Sequence, residues 1–288
     1  MTTHPLISPS SLRSLQSSGA PLLIFDCSFD LSAPENGRLA FEDEHIPGAV
    51  HADLHRDLSA PAGQGASGGR HPLVRREGFA AWVAQAGLST NTLAVVYDRN
   101  RLNFAGRLWW MLRWVGHAHV AVLDGGFQAW KASGGPVETG MSPQHAAGDF
   151  RLGSALVELV DASFVLHGLT APNRKLVDAR ATERYLGKVE PLDAAAGHIP
   201  GAYNRPFSAN LNEDGTFKSA DALRAEFSAL LGAVPGTVIH YCGSGVSATP
   251  NVLAMEVAGL GPSSLYAGSW SEWSRLAGHP QATGAGIP

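Results

Sequence analysis

Two cysteines, Cys27 and Cys242, are the strongest nucleophiles in the chain, and the residues around Cys242 are arranged for chemistry. It stands in T-V-I-H-Y-C-G-S-G-V-S-A, Thr237 to Ala248, where the β-branched run of Val238 and Ile239 ends and a small-residue loop opens a helix read over Thr249 to Val257. Gly243, Ser244, Gly245 and Ser247 are small enough for several backbone N–H groups to turn inward around the sulfur, a cradle that favours an anion. The thiolate is the reactive form of cysteine and a helix N-terminus lowers its pKa, so this placement predicts a nucleophile charged near neutral pH. The plainer reading is a packed thiol, because free cysteine is among the most buried residue types and behaves as a small hydrophobe.

These residues must be carried by a globular scaffold, and 288 residues at 44% apolar content suffice for one large or two medium domains. The net charge of −4 comes with no basic block, so neither nucleic acid nor an anionic membrane is expected as partner. Two cysteines are too few for a disulfide framework or a thiolate-rich metal site, and a cytoplasmic protein is expected. M-T-T-H-P-L-I-S-P-S lacks a basic region before an apolar core, and no window approaches the ~20 apolar residues of a membrane span.

The elements come in a repeated order. Residues 10 to 18 read as a short helix, and L-L-I-F-D, Leu22 to Asp26, as a buried parallel strand. After E-H-I-P-G-A, Glu44 to Ala49, the small-residue segment Asp53 to Leu73 reads as a long surface loop. Helices are expected over Glu77 to Ala86, over Phe104 to Val115, and around Trp130; strands are expected over Leu93 to Tyr97 and Val120 to Leu123. Leu108, Trp109, Leu112 and Val115 lie at helical spacing and read as core.

The second half replays this order with K-L-V-D at Lys175 to Asp178, G-H-I-P-G-A at Gly197 to Ala202, V-I-H-Y-C at Val238 to Cys242, and S-L-Y-A-G-S-W-S-E-W at Ser264 to Trp273. Asp98 and Trp130 stand 32 residues apart and Cys242 and Trp273 stand 31 apart, so His45 pairs with His198, Asp98 with Cys242 and Gly125 with Gly268. Residues 141–154 hold Pro143, Gly148 and Gly153 and read as a linker between domains at 1–140 and 155–288. The first domain has Asp98-Arg99-Asn100-Arg101 where the second has its cysteine loop, so one active site per chain is expected, with the first domain as a wall or lid.

These segments resemble the two-domain sulfurtransferases, the rhodanese and 3-mercaptopyruvate sulfurtransferase group. The likeness is carried by both H-I-P-G-A segments, L-D-G-G-F-x-A-W at Leu123 to Trp130, A-R-x-x-x-R-Y-L-G at Ala179 to Gly187, and C-G-S-G-V-S at Cys242 to Ser247. It implies an α/β fold of two tandem domains, each a five-stranded parallel sheet flanked by helices, and a monomer that takes sulfur on the cysteine as a persulfide without metal or organic cofactor. The loop looks like that of the mercaptopyruvate branch, whereas thiosulfate enzymes carry basic side chains just after the cysteine. Position by position, the resemblance puts Cys242 on the nucleophile, Gly243 to Ser247 (with Ser244, Gly245 and Val246) on the persulfide loop, Arg184 on an arginine that contacts the anionic donor, and His71 near a first-domain histidine of the site. The implied acceptor is cyanide or a thiol, such as that of a thioredoxin-like protein. Two positions depart from the pattern: Glu190-Pro191-Leu192 has leucine where mercaptopyruvate enzymes often have a second arginine, and Asp53 and His55 stand where some relatives have paired aspartates.

Rival motifs fail on specific residues. Gly243 to Ala248 satisfies the dinucleotide fingerprint G-x-G-x-x-[GA], but the next strand ends in Leu265-Tyr266-Ala267 without the required acid. A cysteine phosphatase loop needs an arginine six positions after the cysteine, and Ala248 stands there. His51 and His55 flank Asp53 without a third histidine at ligand spacing, so they read as loop residues rather than a metal site. His45 and His198 occur in both halves, which favours a structural imidazole hydrogen-bonded to a neighbouring turn. His240 reads as a packed strand residue. A binding module without turnover is the remaining alternative, and the intact cysteine loop argues against it.

Overall fold

The computed structural model describes residues 4–141, 144–232 and 236–286. Its contacts divide into two units: residues 1–59, 74–156 and 211–217 form the first, and residues 60–73, 157–210 and 218–288 form the second.

In the first unit the strands are Leu6–Ile7 (β1), Leu22–Asp26 (β2), Ala49–His51 (β3), Leu93–Tyr97 (β4) and Val120–Leu123 (β5). They pair in parallel in the order β1-β5-β4-β2-β3. β2, β4 and β5 are continuous apolar runs because helices cover both faces of such a sheet, and β5 is buried along its whole length. The helices are Pro9–Ser18 (α1), Glu35–Asp43 (α2), Arg76–Gln85 (α3), Asn103–Trp114 (α4) and Gly126–Ala132 (α5). Ser8 caps α1 by accepting the Ser11 N–H at 3.1 Å, and Gly19 ends it at φ 70°. Leu108, Trp109, Leu112 and Val115 are fully buried, as their spacing predicts.

The second unit repeats the scheme. Strands Glu158–Val160 (β6), Arg174–Asp178 (β7), Tyr203–Asn204 (β8), Thr237–Tyr241 (β9) and Ser264–Tyr266 (β10) pair in parallel in the order β6-β10-β9-β7-β8, the same order shifted by five. Helices Ala162–His167 (α6), Thr182–Tyr185 (α7), Ala220–Leu231 (α8), Thr249–Val257 (α9) and Ser269–Trp273 (α10) accompany them. The two five-stranded parallel sheets are the α/β architecture expected from the sequence. Their central strands β4 and β9 deliver Asp98 and Cys242 to the carboxyl edge, where sites of open α/β sheets gather.

The duplicated residues make duplicated contacts. The His45 ring stacks on Phe41 at 3.8 Å with Nδ1 donating to Phe41 O at 2.6 Å; His198 stacks on Tyr185 at 3.9 Å with Nδ1 donating to Tyr185 O at 2.8 Å. Both are structural imidazoles that fasten a turn. Tyr97 and Tyr241 hydroxyls each accept a backbone N–H, from Ile46 and Ile199, at 3.1 Å.

The segment from Asp53 to Leu73 is a loop, exposed at residues 61–64 and 66 as its composition suggests but buried at both ends. Leu54, Leu58 and Leu73 are fully buried, His71 is 3% exposed, and residues 60–73 belong to the second unit. Two of its glycines serve close packing, since a Cβ at Gly65 would stand 2.6 Å from Leu73 O and one at Gly69 2.4 Å from Gly268 O. Of the stretch read as linker, Ser142 and Pro143 lie outside the described residues; beyond them Gly148 N–H donates to Ala84 O at 2.8 Å and Phe150 N–H to Leu88 O at 3.1 Å, holding this stretch on the first unit. No described helix is long and apolar enough to cross a membrane.

Candidate active site

Cys242 follows β9 directly and is 2% exposed. Its N–H donates to Ser269 Oγ at 3.1 Å, its carbonyl accepts the Trp270 N–H at 3.0 Å, and Ser269 Oγ lies 4.0 Å from Sγ. Ser269 holds a left-handed φ of 55°, and its counterpart in the first unit is Gly126 at φ 61°. A serine at a position that suits glycine costs on the order of 1–3 kcal/mol. That cost falls beside the sulfur. The signal for Ser269 was in the repeat, as a side chain where the other half has none.

The loop after Cys242 is built without side chains in two places. Gly245 has φ 73°, and a Cβ there would stand 2.4 Å from Ala267 O, so only glycine fits. A Cβ at Gly243 would stand 3.3 Å from Arg70 Nη2 and 3.6 Å from Arg184 Nη1. Ser244 is 5% exposed, and its Oγ is hydrogen bonded to His71 Nδ1 at 2.7 Å. Val246 is 5% exposed, whereas Ser247 is partly open and its hydroxyl is not seen to bond the nucleophile. The structure therefore gathers Cys242, Ser244, His71, Gly243, Gly245 and Arg184 in one place.

The first unit shows what such a loop holds. Asp98, at the position of Cys242, accepts N–H groups from Asn100, Leu102, Phe104 and Ala105 at 2.7–2.8 Å, closing its turn around its own carboxylate. Burial raises the Asp98 carboxyl above the usual range, although these N–H groups oppose the shift. In the second unit the corresponding turn carries the Cys242 sulfur instead of a carboxylate.

Cationic side chains come from three arginines. Arg184, on α7, donates to Glu190 through Nη2 at 2.6 Å and Nε at 3.2 Å, and to Asp193 through Nη2 at 3.2 Å. Arg180 is 3% exposed and binds Asp178 at 2.7 Å and Glu190 at 3.2 Å. Arg70 donates to Asp193 at 2.6 Å. Burial pushes the Glu190 carboxyl upward, but the Arg184 hydrogen bond and the N–H groups of Leu192 and Asp193 outweigh it and hold it below its ordinary value. Leu192 is 47% exposed and adds no charge. Arg70 was missed in the sequence because its neighbours in the fold lie more than a hundred residues away.

Other histidines and acids serve elsewhere. His240 is fully buried with Nε2 3.1 Å from Met255 Sδ, and burial and then Arg205 lower its pKa to about 3, so it is a neutral packed residue. Asp53 accepts the N–H groups of His55 and Arg56 at 2.8 and 2.9 Å within its own turn. His51 Nε2 donates to Ser28 O at 3.1 Å, and the His55 ring meets Phe29 edge-on at 4.7 Å. Among the described residues no three His, Cys, Asp or Glu side chains could hold a metal ion.

The family of Rhodanese-like domains matches residues 8–133 and again residues 161–276. The chain belongs to this rhodanese-like family. A curated relative from Pseudomonas aeruginosa, named "Probable 3-mercaptopyruvate sulfurtransferase", is 44% identical over 91% of this chain and 93% of its own length. The "Thiosulfate sulfurtransferase" of Bos taurus is 36% identical over 88% of this chain and 86% of its own length. The solved 3-mercaptopyruvate sulfurtransferase from Leishmania major superposes with a TM-score of 0.82 at 31% identity, covering 96% of this chain and 76% of that one.

Proposed function

We propose that this rhodanese-like chain is a sulfurtransferase that moves sulfur from a small donor, 3-mercaptopyruvate, to a thiol or cyanide through a persulfide on Cys242. The observation that carries the reading is the buried Cys242 thiol beneath a loop with the Ser244–His71 hydrogen bond at 2.7 Å beside it. Cys242 thiolate attacks the donor's sulfur, an S–S bond forms and the C–S bond breaks, and the electron pair leaves on carbon as pyruvate enolate. Ser244 delivers a proton to that carbon from the pair it forms with His71, giving pyruvate. The acceptor nucleophile then takes the outer sulfur and restores the thiolate.

The charge around the loop favours this donor over thiosulfate. Arg70, Arg180 and Arg184 are matched by Asp178, Glu190 and Asp193, so the cluster has no surplus charge for a compact dianion. Gly243 and Ser244 add none. A monoanionic carboxylate asks less of such a cluster, and its ketone meets the hydroxyl of Ser244. The expected kcat/KM for 3-mercaptopyruvate exceeds that for thiosulfate by at least about tenfold, equivalent to one charge-assisted contact at ~1.5 kcal/mol. Steady-state assays with both donors and one acceptor decide it, and a preference for thiosulfate would overturn the donor assignment. Persulfide formation is read separately, as one added sulfur in the mass of Cys242 after donor treatment; its absence would sink the mechanism.

A further inference from the structure

We propose that the first unit carries a second small-molecule site, a cleft at the open edge of its sheet that takes a planar aromatic compound bearing a single negative charge. β3 pairs with β2 on one side, and no further described strand pairs with its outer edge. Side chains alternate between the two faces of a strand. Ala49 packs in the core with Phe41 of α2 on one face, whereas Phe25, the register partner of Val50, meets Trp82 of α3 at 5.9 Å on the other. A cleft of about 650 Å³ straddles this edge, lined by Val50 and His51 from the strand, by Phe41 from α2, and by Trp82 and Ala86 from the end of α3. A space of that order holds a ligand of two or three rings.

The lining decides the kind of ligand. Val50 and Trp82 are only half-buried, and Met141, which also lines the cleft, is 82% exposed, so a wide ring and an adaptable thioether are left to cover an apolar molecule. The charged side chains of the lining are Arg38, Glu42 and Arg56. Arg38 is occupied, donating to Glu42 at 2.5 Å and to Glu35 at 3.1 Å. Arg56 is not: its guanidinium lies 3.8 Å from Asp53, beyond hydrogen-bond reach, and its side chain is 62% exposed. Asp53 spends its carboxylate on the N–H groups of its own turn. With Glu42 balanced by Arg38, the cleft keeps one positive charge, and a guanidinium fork beside an aromatic wall complements a carboxylate on a flat ring. A dianion would exceed that charge, and a cation would be repelled by it. None of these residues belongs to the second unit, which holds Cys242, so the cleft is independent of the sulfur chemistry.

The test sets 2-naphthoate, two fused rings with one carboxylate, against 2-naphthamide, which keeps the rings and loses the charge. Calorimetric titration uses the full-length protein with Cys242 first alkylated by iodoacetamide, so that the cysteine site is closed. Saturable binding of the naphthoate is expected with a Kd of about 1 mM or tighter. The amide should bind roughly tenfold more weakly, and Arg56→Gln should erase that preference while leaving turnover of the unalkylated protein unchanged. Acetate, a charge without a ring, should not compete. Ala86→Trp, which fills the cleft, should abolish binding of both naphthalenes. Equal binding of acid and amide, which would mean a neutral occupant, overturns the proposal; so does a failure to saturate, or binding that survives in folded Ala86→Trp. If Ala86→Trp does not fold, the acid-to-amide ratio in Arg56→Gln decides alone.

Discussion

Ser244 is the residue whose role depends most sharply on what leaves the sulfur. When the leaving group is an enolate, carbon must take a proton, and the only described hydroxyl on the cysteine loop bonded to an imidazole is that of Ser244. When thiosulfate is the donor, sulfite departs with its charge spread over oxygens and needs no proton at carbon. Ser244→Ala is therefore expected to lower kcat for 3-mercaptopyruvate by roughly 10²-fold, the usual worth of a positioned proton donor, and to affect thiosulfate turnover far less. Equal losses with both donors would mean that Ser244 shapes the loop instead of moving a proton.

At the scale of the element, the cysteine loop is held by what its glycines exclude. Gly245→Ala must place a methyl 2.4 Å from Ala267 O at a φ of 73°, so either the loop or the turn before α10 has to shift. A cost of about 1–3 kcal/mol is expected, read as a melting temperature several degrees lower together with a loss of turnover. A variant that melts and turns over normally would show that the loop has slack. The strands were legible from their apolar runs; β2 and β4 fall on their expected bounds, while Cys242, read at the end of the run opened by Val238 and Ile239, lies just past β9. α9 likewise begins and ends where its sequence says. Arg70 was not legible, since nothing local reveals that Gly68 and Gly69 are spaced for Glu272 and Gly268. Ser269 was half legible: comparing Gly126 with it exposes the substitution, but only the left-handed φ shows what it costs.

At the scale of the molecule, stability should follow the buried imidazoles. Burial lowers the pKa of His117 in the first unit to about 4; burial, and then Arg205, lower that of His240 in the second unit to about 3. The unfolded chain protonates these rings near the ordinary imidazole value of 6.5, whereas the native protein keeps them neutral. Their contribution is therefore complete above pH 6.5 and is lost as pH falls toward the native values, at about 1 kcal/mol per pH unit for each ring. Melting temperature should decline steadily below that pH, and His240→Leu should flatten the decline of the transition in which the second unit melts. An identical slope in the variant would mean that another group carries the acid sensitivity.

The exchange of short segments has a consequence for inheritance. Residues 60–73, encoded in the first half, complete the second unit with His71 and Arg70, and residues 211–217, encoded in the second half, complete the first. The ancestral duplication can no longer be cut at its seam. A gene trimmed to the cysteine-bearing half would encode a nucleophile stripped of His71 and Arg70, because the fourteen residues at 60–73 come from the other half.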